Sequence, residues 1–573
     1  MLKGIGRACR RISTIAILAG VAPVAFAAHP DPVRGRGGAV ASAAPAATEV
    51  GVEVLRTGGN AVDAAVATAL ALAVVHPQAG NLGGGGFAVV RMGDDVSTLD
   101  FREVAPAAAS HDMYLDDTGE PVRDASLIGP LAAGVPGSPS GLWELHHRYG
   151  ELEWAEVVAP AIRLAGEGFV VTPRLEQSIT KSASLLDRFP ESAAVWLPDG
   201  SPPPAGTTMR LPALAATLRV YADRGPDALT TGSLASAIEA ASLRHGGVLT
   251  AADLEAYHPV WRRPVIFDAF GWQVASMPLP SSGGIILGQT VGILERVGWR
   301  NAPRFGALRD HLLAEAWRRA YADRYLLGDP ATTRAREAEL LADTWLDVRA
   351  ATIRADRATP SSEVRSWSAD AVTESPETTH LSVVDHNGNA VSLTTTLNGS
   401  FGCGLLVPGV GFLLNNEMDD FAAAPGRPNL YGLIQGEANA VGAGKRMLSS
   451  MTPTIAWRQD EVVVLGSPGG STIPTATAQV LLNLVVDGDG LQAAVDRPRL
   501  HHQWLPDEIV VEPDACSPET AAELEKRGHQ LAVRPHLGEV HAVRRLADGT
   551  VEAAADPRGP GAAGVVTLAP GTR

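Results

Sequence analysis

Glu377-Thr378-Thr379-His380 is the stretch of this chain best suited to covalent chemistry. A threonine hydroxyl is a weak nucleophile unless a base stands beside it, and the base nearest to hand is the α-amine of the threonine itself. That amine is free only if the peptide bond before it is broken. Cleavage between Glu377 and Thr378 would therefore place nucleophile and base in one residue. No serine or cysteine nucleophile motif is evident elsewhere.

The elements around Thr378 are those of a hairpin. Leu381, Val383 and Val384 lead into Asp385-His386-Asn387-Gly388-Asn389, and Asn-Gly tolerates the positive φ angles of tight turns. The return segment, Ala390 to Thr396, is rich in β-branched residues that suit a sheet. With Asn387-Gly388 as the central pair, Thr379 is expected opposite Thr396, and Thr378 within about a residue of Asn398. Two hydroxyls and an amide would then gather at one end of a sheet. Taken alone, the same pattern is equally that of a threonine-rich surface hairpin.

Further helices and loops can be placed by pattern. Pro45 to Arg56 is expected to be a helix with proline in its first turn and Gly58-Gly59 just past its end. Ala61 to Val75 reads as a buried alanine-rich helix capped by Asn60. Gly80 to Gly86 forms a loop feeding a strand from Phe87 to Arg91, and no Gly-Lys-Ser/Thr follows to make it a phosphate-binding loop. Leu142 to Tyr149, Trp154 to Ala165 and Gly306 to Leu327 read as largely helical. Arg365 to Glu377 is polar, without clear periodicity, and reads as the exposed linker that self-cleavage before Thr378 would need.

Composition excludes several classes. With 573 residues, 45% hydrophobic and 19% charged, the chain can build a large core. Residues 1 to 27 resemble a secretory signal: Lys3, Arg7, Arg10 and Arg11 precede an apolar run from Ile15 to Phe26, and Ala25-Phe26-Ala27 offers a small-residue cleavage site. The mature protein is thus expected outside the cytoplasm, in a periplasm or the medium. No later apolar run reaches the roughly 18 to 20 residues of a membrane helix. The formal charge is −16, and loss of four cationic leader residues makes it −20, which disfavours nucleic acid and anionic membranes as partners. Only Cys403 and Cys516 remain after the leader, allowing at most one disulfide. His501-His502 is an adjacent pair of candidate metal ligands without zinc-type spacing, and a structural hydrogen-bonded pair is expected instead. No metal or other cofactor is called for.

Several longer motifs then follow in order. They are Gly83-Gly84-Gly85-Gly86-Phe87, Asp100-Phe101-Arg102-Glu103, Pro280-Ser281-Ser282-Gly283-Gly284, Phe401-Gly402-Cys403-Gly404, Gly411 to Phe421, Lys445 to Thr454, Leu465 to Ser471 and His501 to Pro506. Together they resemble the γ-glutamyltransferases (γ-glutamyl transpeptidases), N-terminal-nucleophile enzymes that cut themselves into a large and a small subunit. The resemblance runs from about residue 30 to about residue 560. It implies an α+β fold, the four-layer αββα sandwich of N-terminal nucleophile (Ntn) hydrolases, with a large subunit from 28 to 377 and a small catalytic subunit from 378 to 573 sharing one core as a heterodimer.

The resemblance also implies site roles. Thr378 would be the nucleophile and Glu377-Thr378 the cleavage point, with Thr396 orienting the hydroxyl. The backbone N–H groups of Gly469 and Gly470 match the family's oxyanion hole. Arg102, helped by Ser449 and Ser450, would hold a substrate α-carboxylate; Glu417, Asp420 and Asn398 would receive its ammonium. Tyr431 matches a lid loop. The implied donors are glutathione or other γ-glutamyl compounds, and the acceptors are water, amino acids or peptides. An acylase of glutaryl or cephalosporin-type amides would share Thr378, Gly469 and Gly470 but has no need of an ammonium site. A noncatalytic secreted binding protein would need none of these groups.

Overall fold

The computed structural model describes residues 31–334, 336–364, 378–424 and 435–567. The leader, the 365–377 linker with Glu377, and Tyr431 lie outside the described residues.

The central hairpin joins Thr379–Asp385 to Ala390–Thr396. Thr379 pairs with Thr395 and Val384 with Ala390, a register one residue away from that expected of an Asn-Gly turn. The cause is Asp385. Its carboxylate accepts the backbone N–H groups of Asn387 (2.9 Å) and Asn389 (3.0 Å), and the Asp385 N–H donates to the Asn389 carbonyl at 3.0 Å. This closes a three-residue loop of His386, Asn387 and Gly388, with Gly388 at φ +85°, where a side chain would be strained. Thr379 therefore faces Thr395 and not Thr396.

Two seven-stranded sheets grow around this hairpin. In one, the order is Ala562–Val565, Gly38–Ser42, Thr379–Asp385, Ala390–Thr396, Gly85–Met92, Asp95–Phe101 and Val260–Arg262. In the other it is Val33–Gly35, Val551–Ala554, His541–Arg545, Glu461–Gly466, Thr454–Arg458, Trp272–Ser276 and Val265–Ala269. Every neighbouring pair in both sheets is antiparallel. Each sheet draws strands from both sides of residue 378, so neither segment holds a complete core alone.

Alternation along the strands makes the layers. Leu381, Val383, Val391 and Leu393 point outward into a cluster with the helix Ala61–Val75. Val384 and Ala390 point inward to meet Ile455, Val462, Val464 and Val543 of the facing sheet. On that sheet's far side, Val463 and Leu465 pack with Leu287 and Val291 of the helix Gly283–Arg296 and with Ala476 and Val480 of the helix Ile473–Val485. The result is helix, sheet, sheet, helix: the αββα sandwich.

The helix Ala61–Val75 is buried on every face, as an alanine-rich segment between layers must be, and Asn60 and Asp63 form a reciprocal capping box at its start. The helix Pro45–Arg56 has the expected bounds, and the remaining helical expectations hold with shifted ends: Ser138–Tyr149, Trp154–Glu167 and Ala307–Arg324. Cys403 and Cys516 are both free thiols, sitting in separate apolar clusters.

Candidate active site

Thr378 immediately precedes the strand Thr379–Asp385 and is 8% exposed. Continuing the observed register by one rung sets it opposite Thr396. Both residues share the parity of His380, Ser382, Ser392 and Thr394. That is the face turned toward the other sheet, where Ser382 donates to the His541 carbonyl and Ser392 to the Leu465 carbonyl. His380 lies on this face too, bonded to Thr394 Oγ1 at 2.8 Å and Ser382 Oγ at 3.0 Å. Burial drives its pKa far below the usual histidine value, which makes it a poor base.

The strand ends of the hairpin are fixed by Asn81. Its Nδ2 donates to the Thr396 carbonyl (2.8 Å) and to Thr395 Oγ1 (3.0 Å), while its Oδ1 accepts from Gly84 N (3.0 Å) and Ser138 Oγ (2.7 Å). The glycine run packs against the same point. A Cβ on Gly84 would sit 2.1 Å from the Thr396 carbonyl oxygen, so the glycines serve close backbone approach. Beyond Thr396, Asn398 takes φ +71°, donates its backbone N–H to Thr396 Oγ1 (2.8 Å) and its Nδ2 to the Asn416 carbonyl (2.9 Å).

Arg102 follows the strand Asp95–Phe101, and its N–H is held by Asp100 Oδ1 at 2.9 Å. Its guanidinium pairs with Glu417 and with Asp420, both on the short 3₁₀ turn Glu417–Asp420, and Glu103 lies 3.8 Å away. Thus the side chain expected to hold a carboxylate and the two expected to hold an ammonium are bonded to one another. Burial works to lower the Arg102 pKa, but the charges of Glu417, Asp420 and Glu103 together hold it above its ordinary value. Burial raises Glu417 well above the carboxylate range and raises Asp420, with Arg102 opposing in both cases.

Ser449 and Ser450 come from the loop before the strand Thr454–Arg458. Ser449 N donates to the Pro280 carbonyl (2.8 Å), and the Ser449 carbonyl accepts from Ser282 N (2.8 Å) and Ser282 Oγ (2.8 Å). The Pro280 to Gly284 motif therefore serves as a clamp on the Ser449 backbone. Ser450 Oγ is buried and has no hydrogen-bond partner among the described residues.

Gly469 and Gly470 end the loop after the strand Glu461–Gly466, at φ +131° and +57°. Gly470 opens the turn Gly470–Thr472 that feeds the helix Ile473–Val485, and a first helical residue has no intrahelical acceptor for its N–H.

One cavity gathers these groups: Thr378, Thr396, Asn398, Arg102, Glu417, Asp420, Ser449, Ser450 and Gly470 all line it. Gly469 lies next to its rim residue Gly470. Arg324, Met451 and Ile473 also line the cavity and went unrecognised in the sequence. The signal for Arg324 was its place in Ala307–Arg324, a buried helix with no amphipathic stripe, where a cation needs a reason to be.

The other polar clusters are knit internally. His501 is bonded to Thr475 Oγ1 and Gln503 Oε1, each at 2.8 Å, and His502 Nε2 accepts from Arg318 Nη2 at 3.0 Å. Burial lowers their pKa values to about 3 and about 4. His311, Glu315 and His529 come within 4.8 Å of one another. Glu315, however, is engaged by Arg318, Arg319 and Thr359, and His311 bonds both His529 (2.7 Å) and the Arg354 carbonyl (2.7 Å). A cation there would have to displace bonds already made.

Comparison with known proteins bears on the same residues. The sequence model of a family described as gamma-glutamyltranspeptidase matches residues 47–566. The glutathione hydrolase proenzyme of Escherichia coli (strain K12) is 43% identical, over 96% of this chain and 97% of that protein. The acylase ACY 1 proenzyme of Pseudomonas sp. (strain SE83) is 36% identical, over 92% and 94%. Among solved structures, a cephalosporin acylase from Bacillus halodurans superposes with a TM-score of 0.82 at 26% identity, covering 97% of this chain and all of that one.

Proposed function

The chain belongs to the gamma-glutamyltranspeptidase family, and from that premise we propose that it cuts itself between Glu377 and Thr378 and then transfers or hydrolyses γ-glutamyl groups through the Thr378 hydroxyl. In the precursor, Thr378 Oγ1 attacks the Glu377 carbonyl carbon. The acyl group moves from nitrogen to oxygen, and water hydrolyses the resulting ester. The freed α-amine, with a reference pKa near about 8, is then available as a base at mildly alkaline pH.

In each catalytic cycle the Thr378 hydroxyl gives its proton to that amine and attacks the γ-amide carbon of glutathione or a related donor. The oxyanion that develops is met by the N–H groups of Gly469 and Gly470. Collapse expels the amine portion, which takes up a proton, and leaves a γ-glutamyl ester on Thr378. Water completes hydrolysis, or the amine of an amino acid or peptide completes transfer. Thr396 orients the nucleophile from the facing strand.

The observation that best supports this reading is a single cavity in which Thr378 shares its walls with two cations and two carboxylates. A γ-glutamyl donor carries a carboxylate and an ammonium on one carbon, and such a zwitterion needs both signs. A glutaryl amide lacks the ammonium and would leave Glu417 and Asp420 with no ligand group to bind, only their pairing with Arg102. That weighs against the acylase reading, which the acylase relatives otherwise favour.

We assign 1–27 as the leader, 28–377 as the large subunit and 378–573 as the small subunit of the mature heterodimer, exported to a periplasm or the medium. Among the described residues no helix is long and apolar enough to cross a membrane. The test is denaturing intact mass on wild type beside Thr378→Ala, followed by turnover of glutathione and of a glutaryl amide. Two fragments meeting at Glu377/Thr378 in wild type only, with glutathione the better substrate, is the expected result. A wild type left whole after long incubation sinks the proposal.

A further inference from the structure

Arg324 is the cavity-lining cation that the mechanism above leaves unused. It ends the helix Ala307–Arg324, is 3% exposed, and donates Nε to Ser282 Oγ at 3.0 Å. Ser282 in turn holds the Ser449 carbonyl, so Arg324 is tied to the loop that carries Ser449 and Ser450. Among the described residues its buried Nη1 has no hydrogen-bond partner, and neither does the Ser450 hydroxyl. Both residues line the cavity beside Thr378. Leaving a guanidinium N–H unsatisfied in the interior is costly, and a ligand that accepts from it recovers the loss.

The charges in the cavity are arranged by sign. Arg102 is already paired with Glu417 and Asp420. Among the described residues Arg324 has no such direct ion pair. Burial lowers its pKa to about 10, against the pull of Asp420, and it remains protonated at neutral pH. A zwitterion entering this space would set its ammonium toward Glu417 and Asp420 and its carboxylate toward Arg324.

We propose that Arg324 is a further substrate-recognition residue, a second cation that works beside Arg102 and binds the donor's α-carboxylate together with the Ser450 hydroxyl. The proposal rests on the γ-glutamyl reading of the same site. Arginine suits the role because its planar fork donates in a fixed geometry that matches a carboxylate.

The experiment compares two anilide donors on the mature enzyme: a γ-glutamyl anilide, and the 4-aminobutanoyl anilide that keeps the amine and lacks the α-carboxylate. Intact mass first verifies cleavage in wild type, Arg324→Gln and Arg324→Lys. With Arg324→Gln, kcat/KM for the γ-glutamyl donor should fall about 10- to 100-fold, mainly through KM, while that for the 4-aminobutanoyl donor stays within about threefold. Arg324→Lys should recover part of the loss, and it carries the comparison if the glutamine variant does not fold. Equal losses on both donors would make Arg324 a support for the Ser282–Ser449 clamp only, and no loss on either would remove it from recognition; both outcomes overturn the proposal. If wild type cleaves itself and turns over neither donor, the parent reading fails and takes this one with it.

Discussion

Thr378 stands opposite Thr396, one rung beyond the Thr379–Thr395 pair, on the face of the hairpin that looks into the sandwich. The two hydroxyl-bearing residues are thereby set side by side in the wall of a cavity, with the Thr396 hydroxyl already accepting from Asn398 N. Thr396→Val keeps the volume and removes the hydroxyl. Maturation should slow and kcat should drop about 10²-fold with little change in KM, as for other positioned proton-handling groups. Progress of cleavage by mass and steady-state kinetics measure both, and an unchanged kcat would show that Thr396 does not orient the nucleophile.

Gly469 sits at φ +131°, and a Cβ there would lie 2.4 Å from Thr472 Oγ1. Gly469→Ala must therefore move the loop and with it the N–H groups proposed to meet the oxyanion. A loss of about 2.7 to 4 kcal/mol of transition-state stabilisation is expected, or about 10²- to 10³-fold in kcat. Initial rates at saturating donor decide it. A variant with a normal kcat would take this loop out of the chemistry.

Arg102 is paired with two buried carboxylates, so its removal strands them. Arg102→Met should cost about 3 to 5 kcal/mol of stability near neutral pH in urea titrations. The cost should shrink on acidification, because protonating Glu417 and Asp420 removes the unpaired charge. A pH-independent loss would instead point to packing alone.

Glu103 is fully buried, neither carboxylate oxygen has a hydrogen-bond partner among the described residues, and burial raises its pKa to about 7 against the opposing charge of Arg102. The native state then keeps a proton that the unfolded chain has already lost. By linkage, the Glu103 contribution is fully present below the unfolded value near 4.5 and is lost as pH rises through about 7. The urea midpoint of wild type minus that of Glu103→Gln should fall between pH 5 and pH 8. A difference that rises over that range would reverse the assignment.

Local patterns were sufficient for much of this molecule. The strand Ala390–Thr396, the helix Ala61–Val75 and its Asn60 cap follow from side-chain periodicity and capping chemistry, which act within a few residues. The order of the glycine, arginine and serine motifs pointed to one site, and nine of the residues so marked line one cavity. The nearest miss was also local in origin. Asn387-Gly388 favours a two-residue turn, but the Asp385 side chain captures two backbone N–H groups and makes the loop one residue longer.

Other features belonged to the tertiary structure alone. Strand order in two sheets that each mix early and late segments cannot be read from periodicity, because alternation specifies which face is apolar and says nothing of which strand lies beside it. Nor could the state of Arg102 be foreseen. In the sequence it is a free cation awaiting a carboxylate; in the fold it lies against Glu417 and Asp420, more than three hundred residues away, where burial makes each charge demand a partner. Arg324 was hidden for the same reason: its type was visible, but only packing of its helix against the Ser282–Ser449 clamp shuts it from water, leaves its Nη1 unsatisfied and sets it on the wall beside Thr378.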